Sequence, residues 1–255
     1  MASNTIIIPF RRTSEVPLCL TSLGVCEDIH LHKIILAQHG GPAVEFDRDD
    51  LPVCHWFVCN QETFHYSKLI NGAVRRAQSE WVTILQPDVL VPFDFVIRLE
   101  EAQCGPHYRR CYFPIRYLDS AATQRVETRF NSFYEQIIPR KSQWRRGCET
   151  HEQCLIGTDC FTVRKSYYLD LGGFDEGFHD SALATVDFGR RWFNAFGPPD
   201  CVDCDLFHRW SRTNSFSQIE PTEVAERCLL VEKERGGFPP LEITKTWGVF
   251  PHGII

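Results

Sequence analysis

Two short runs of residues have the types and spacing to hold a metal ion. Cys148-x2-His151-x2-Cys154 and Cys201-x2-Cys204-x3-His208 would together supply four ligands for a structural zinc. Their spacing only half matches such a site, which usually pairs two hooks of similar kind, and buried free thiols are the competing reading. Asp88 is a different case. It leaves the apolar stretch Val82-Thr83-Ile84-Leu85 through Gln86-Pro87. A carboxylate at a strand end is a hard oxygen ligand suited to manganese or magnesium, and it equally suits a turn. Arg11 and Arg12 directly follow the apolar run Ile6–Ile8, where a guanidinium pair would bind phosphate or remain a solvated charge pair.

Asp88 and Arg11 can act together only if a sheet brings their strands side by side. Residues 5–10 form a β-branched run closed by Pro9 and Phe10, which predicts a buried first strand. A helix over 15–24 follows, then strands over 33–37 and 55–58. Over 67–78, Leu69, Ile70, Ala73, Val74 and Ala77 share one helical face. A strand over 81–85 leads into Gln86-Pro87-Asp88. This alternation predicts an α/β fold with a mostly parallel central sheet flanked by helices. Ligands of such sheets bind beyond the carboxyl ends of the strands, so Pro9–Arg12 and Gln86–Asp88 would share one rim.

The second half is less regular. It predicts strands over 110–115 and 160–163, helices over 165–171 and 186–196, and a charged helix over 221–235. A polar loop over 137–153 carries Trp144 and the basic run Arg140-Lys141…Arg145-Arg146, which is a solvated loop or a lid closing over a ligand.

Composition narrows the classes. With 43% hydrophobic and 24% charged residues the chain is neither disordered nor fibrous. Against 33 acidic residues it has 27 basic ones, a formal charge of −6, which disfavours nucleic acid as a partner. No apolar stretch approaches the ~20 residues of a transmembrane segment, and the N-terminus lacks the pattern of a signal peptide. A cytoplasmic location is expected, with the 12 cysteines as thiols or metal ligands.

Four segments in order resemble nucleotide-sugar glycosyltransferases of the GT-A (Rossmann-like) fold, in pattern nearest to family 2 and the beta-1,4-galactosyltransferases. Ile6-Ile7-Ile8-Pro9-Phe10-Arg11 looks like the opening strand and its nucleotide-contacting turn. Phe64-His65-Tyr66-Ser67-Lys68-Leu69-Ile70-Asn71-Gly72 is similar to Phe-Asn-Arg-Ala-Lys-Leu-Leu-Asn-x-Gly. Val82 through Pro92 sits where the family has its Asp-x-Asp strand end, and Gly172-Gly173-Phe174-Asp175-Glu176 precedes Asp187 at helical distance. The resemblance covers about residues 5–210. It implies one domain over 1–255, with a nucleotide-binding half over about 1–92, an acceptor-side half over about 93–220, and a helix and tail over 221–255.

The resemblance implies transfer of a hexosyl or pentosyl group from a UDP-sugar donor to a hydroxyl-bearing acceptor (a glycan, glycoconjugate or protein). Mn2+ or Mg2+ would be held by Asp88, by His208 as the late histidine ligand, and by Asp205 three residues before it. Pro9, Phe10 and Arg11 resemble the uridine and phosphate contacts, Lys68 or Arg75 would stabilise phosphates less specifically, and Gln86 would accept from a ribose hydroxyl. Departures lie on the acceptor side. The Glu-Asp pair that supplies the base of inverting members reads Ala184-Thr185, and the Trp-Gly-Trp platform reads His179-Asp180-Ser181. Asp180 is the nearest carboxylate, with His179 beside it, and Asp187 is the second catalytic candidate. A retaining course needs no such base. The rival readings are a non-catalytic nucleotide-sugar-binding module, a zinc-stapled interaction protein, and a nucleotidyltransferase, which lacks its glycine-rich loop after Ile8.

Overall fold

The computed structural model describes residues 4–11, 14, 16–42, 46, 49–58, 64–105, 109–130, 145–146, 160–209, 226, 230, 233–237, 240–245 and 247–248. Asn4–Phe10 forms strand β1, buried at every position. Its two-residue period sorts the side chains. Ile6, Ile8 and Phe10 enter one core cluster and Ile7 the other.

In the sheet β1 lies between β2 (Lys33–His39) and β4 (Trp81–Ile84), parallel to both, and β3 (Val53–Val58) extends it beyond β2, again parallel. On the other side, β9 (Phe161–Arg164) runs antiparallel to β4 and to β6 (Arg110–Tyr112), and β10 (Asp200–Cys201) pairs parallel with β6. The order is β10-β6-β9-β4-β1-β2-β3. The expected sheet is present, with β9 as its antiparallel member.

Helices cover both faces. α1 (Val16–Gly24) and α3 (Phe95–Cys104) pack on the Ile6–Ile8 face. α2 (Tyr66–Arg76), α5 (Lys165–Asp170) and α6 (Ser181–Phe196) pack on the Ile7 face. α2 shows why: Tyr66, Leu69, Ile70, Ala73 and Val74 form one buried stripe, and removing it from water is what holds the helix on the sheet.

Two expectations are corrected here. The strand expected over 110–115 is two strands, β6 and β7 (Ile115–Tyr117), divided at Pro114, which has no N–H to give to a ladder. β7 belongs to a second sheet, ordered β5-β11-β7-β8, with β5 at Val89–Leu90, β11 at Leu206–His208 and β8 at Arg145–Arg146. The helix expected from 186 begins at Ser181, because the Asp180 carboxylate accepts from Ala182 N–H at 2.9 Å and Leu183 N–H at 3.3 Å. α3 and α4 (Ser120–Thr128), the latter capped by Asp119, were not expected. Most of the basic loop and of the terminal helix over 221–235 lies outside the described residues.

The Gly172-Gly173 turn joins α5 to α6. Both glycines have positive φ, +77° and +66°, and a Cβ on Gly173 would lie 2.6 Å from Asn71 Oδ1. Asn71 of α2 closes the turn by accepting from Phe174 N–H at 3.0 Å and from Tyr168 O–H at 2.7 Å, and by donating to Phe174 C=O at 2.8 Å.

Candidate active site

Because β1, β2 and β4 run parallel, Phe10–Arg11, Gln38–His39 and Leu85–Asp88 emerge on one rim of the sheet. The second sheet adds the partner that this rim needs. β11 pairs antiparallel with β5, setting His208 opposite Val89, and Arg209 N–H donates to Asp88 C=O at 3.0 Å. His208 Nε2 therefore lies 3.2 Å from Asp88 Oδ2, with the Asp88 side chain 5% exposed and that of His208 21%. His208 Nδ1 is 2.7 Å from Arg209 C=O. A carbonyl only accepts, so Nδ1 carries a proton and Nε2 is the nitrogen turned to the carboxylate. The His208 ring also rests against Tyr117, 4.9 Å between centroids.

Burial works against ionisation of Asp88. The hydrogen bond and charge of His208, with Arg209 nearby, outweigh it and hold the carboxyl below its ordinary range. An ionised oxygen, and an imidazole nitrogen oriented through the ring's other N–H, supply two donors to a divalent cation once Nε2 gives up the proton it shares with Asp88. The residues fit such an ion.

The other expected ligand points elsewhere. Asp205 is ion-paired with Arg116 of β7, and no group of three or more metal-ligating side chains occurs among the described residues. The zinc reading fares similarly. Cys204 is 6% exposed within the core cluster, where burial raises its thiol pKa, and His208 faces Asp88. Cys148, His151 and Cys154 lie outside the described residues. The cysteines of the described residues are free thiols.

Gln86 is 3% exposed, and its Nε2 donates to Tyr66 O–H at 3.3 Å. Its Oε1 is buried with no hydrogen-bond partner among the described residues, a cost that a donor hydroxyl would relieve. Pro9 is buried in β1, and Arg11 is exposed just beyond it. Phe10 is fully buried in the core, edge-on to Phe46 and stacked with His55, so its ring is spent on packing and its backbone alone is left for the rim. Lys68 is half-buried in the first turn of α2. Arg75 donates to Trp247 C=O at 3.2 Å and serves the fold.

The catalytic candidates separate as well. Asp180 spends Oδ1 on the α6 cap. Asp187 is 1% exposed, and its two oxygens are held by Arg191 at 2.8 Å and Arg235 at 3.1 Å. Both oxygens of Asp187 are thus engaged by arginines within the fold. His179 is exposed and stacks on His65 at 4.0 Å between centroids. Tyr66, His65 and Arg209 escaped sequence reasoning as site residues. The only signals were Tyr66 and His65 inside the second quoted segment and Arg209 next to His208.

His65 carries a pH dependence. Burial, reinforced by His179 and Lys68, pushes it down to about 4. With the folded value below an unfolded value of about 6.5, its contribution to stability is complete above that pH and is lost as pH falls toward 4. Its ring also accepts from Lys68 N–H at 3.4 Å, a cap that asparagine preserves. His65→Asn is expected to lose less of its urea midpoint between pH 7 and pH 5 than wild type. An equal loss in both would remove His65 from the account.

No family model matches the sequence, and no curated protein matches it. Solved structures do. TarS of S. aureus in complex with UDP-GlcNAc superposes with a TM-score of 0.64 at 10% identity, over 94% of this chain and 68% of that one. The fold is GT-A. GalNAc-T7 with UDP, GalNAc and Mn2+ gives 0.58 at 11% identity, over 91% of this chain and 48% of that one. The mannosyltransferase PcManGT from Pyrobaculum calidifontis with GDP-Man and Mn2+ gives 0.50 at 15%, over 83% and 58%. The chain thus spans about two-thirds of TarS and half of GalNAc-T7. Among the described residues no helix is long and apolar enough to cross a membrane.

Proposed function

We propose that the chain is a metal-dependent glycosyltransferase that moves a sugar from a UDP-sugar to a hydroxyl acceptor. The observation that carries the proposal is the Asp88–His208 pair, 3.2 Å apart at the carboxyl rim of a GT-A sheet. Asp88 and His208 would hold Mn2+ or Mg2+. Such an ion supplies positive charge to offset what develops on the departing diphosphate. Gln86 Oε1 would accept from a ribose hydroxyl, and Arg11 and Lys68 would add charge beside the phosphates. On the acceptor side, an inverting course would use Asp180, whose cap bonds involve only Oδ1, or His179 beside it as the base for the acceptor hydroxyl.

The test is UDP release across a panel of UDP-sugars with added manganese. Release from one sugar, with transfer to an added glycan or peptide, is the expected result. Saturable donor binding without release under any acceptor would favour the non-catalytic nucleotide-sugar-binding reading. No binding of any UDP-sugar would overturn the donor assignment.

A further inference from the structure

Beside the Asp88–His208 pair the second sheet carries one more side chain. His208 of β11 is in register with Tyr117 of β7, so the two side chains leave the same face of that sheet. Leu206 and Ile115, paired two residues earlier on this face, are buried in the first core cluster. His208 and Tyr117 continue the face past the end of that core. The intervening pair turns the other way: Phe207, opposite Arg116, packs on Leu90, Leu118 and Val126. Leu118 N–H donates to His208 C=O at 2.9 Å, and β7 lies between β11 and β8. The backbone that carries Tyr117 is therefore held on both sides.

Tyr117 is 44% exposed, whereas Phe10 and Tyr66 near the same rim are fully buried. A single exposed aromatic residue is ordinary on a protein surface; its place is what gives this one meaning. The Tyr117 and His208 rings lie 4.9 Å apart between centroids, tilted by 36°, and His208 Nε2 is 3.2 Å from Asp88. The strand order β5-β11-β7 puts His208 between Tyr117 and Asp88, which leads into β5. A ligand held at the Asp88–His208 pair therefore has the Tyr117 ring as its neighbour on the β7 side.

We propose that Tyr117 holds the sugar of the donor by stacking, with its ring against a C–H face of the pyranose. This rests on the UDP-sugar reading above. Gln86, on the β4 side of the pair, is assigned there to the ribose, which leaves the sugar end of the donor for the β7 side. An aromatic ring is a flat, rigid apolar surface with few torsions to freeze, and covering it with the C–H groups of a sugar removes apolar area of both from water. Phosphates gain nothing from such a surface, so the contribution belongs to the sugar and is missing from UDP alone.

Calorimetry on the full chain with added manganese compares UDP with UDP-glucose, UDP-galactose and UDP-GlcNAc as probes. Tyr117→Leu keeps apolar bulk against His208 but has no flat face. It is expected to weaken the tightest-binding of the three nucleotide sugars by about tenfold and UDP by less than about twofold. Tyr117→Phe keeps the ring and should keep both affinities. Equal weakening of UDP and nucleotide sugar in Tyr117→Leu would mean that the ring only supports His208, and would overturn the stack. So would unchanged affinities in that variant, a loss in Tyr117→Phe as large as in Tyr117→Leu, or wild-type binding of UDP with none of the three sugars. Absence of manganese-dependent UDP binding by wild type is the separate failure of the donor reading, and the stack falls with it.

Discussion

Asp88→Ala is expected to lower manganese-dependent UDP release by about 10³-fold, because a catalytic cation contributes several kcal/mol to the transition state and each 1.36 kcal/mol is tenfold in rate. The size of the effect follows from how the site is built. Asp88 supplies the ionised oxygen that faces His208 Nε2, and losing it leaves an imidazole alone, which holds manganese weakly. Asp88→Asn keeps the volume and removes the charge, so it should follow the alanine variant in activity, with a lowered thermal midpoint because the ionised carboxylate's interaction with His208 is lost. Asp205→Asn is the contrast. Its carboxylate is engaged with Arg116, so manganese dependence should survive. Activity in Asp88→Ala within threefold of wild type, with an unchanged manganese requirement, would move the metal elsewhere.

The separation between Asp88 and Asp205 shows where sequence reading succeeds and where it stops. β1 was legible because Ile6, Ile7 and Ile8 are β-branched and continuous, and α2 because its apolar residues repeat at three and four. With the strand over 81–85 the shared rim of Arg11 and Asp88 follows. Phe10 belonged to the core on the same alternation that buried Ile6 and Ile8, and the motif resemblance concealed that. The meeting of His208 with Asp88 depends on two- and three-residue strands pairing across about 120 positions. Strands that short have no usable periodicity, so only the family resemblance pointed to His208. Nothing local distinguished Asp205, whose partner Arg116 sits on a strand that Pro114 had split from its expected position. Tyr117 was invisible for the same reason, since it lies on that same three-residue strand.

Asp187 is where the catalytic and structural readings predict opposite outcomes. Arg191 stands four residues after it on α6, a spacing that on an exposed helix surface would be worth a few tenths of a kcal/mol. The structure buries that pair at 1% and 0% exposure. Arg191 meanwhile donates to Leu171 C=O and Gly173 C=O, so it ties α6 to the double-glycine turn, and Arg235 reaches the other Asp187 oxygen. Removing one partner of such a pair leaves an uncompensated buried charge, at about 3–5 kcal/mol. Asp187→Ala is therefore expected to lower the thermal midpoint by roughly 10 °C in a domain of this size. The double variant Asp187→Ala with Arg191→Met removes the stranded charge but also the donor of Leu171 C=O and Gly173 C=O, so its loss should be smaller than the sum of the two single losses. A catalytic Asp187 would behave in the reverse way, with an unchanged midpoint and lost UDP release. Thermal unfolding of the single and double variants decides between them: a midpoint within 2 °C of wild type in Asp187→Ala would return this carboxylate to the chemistry.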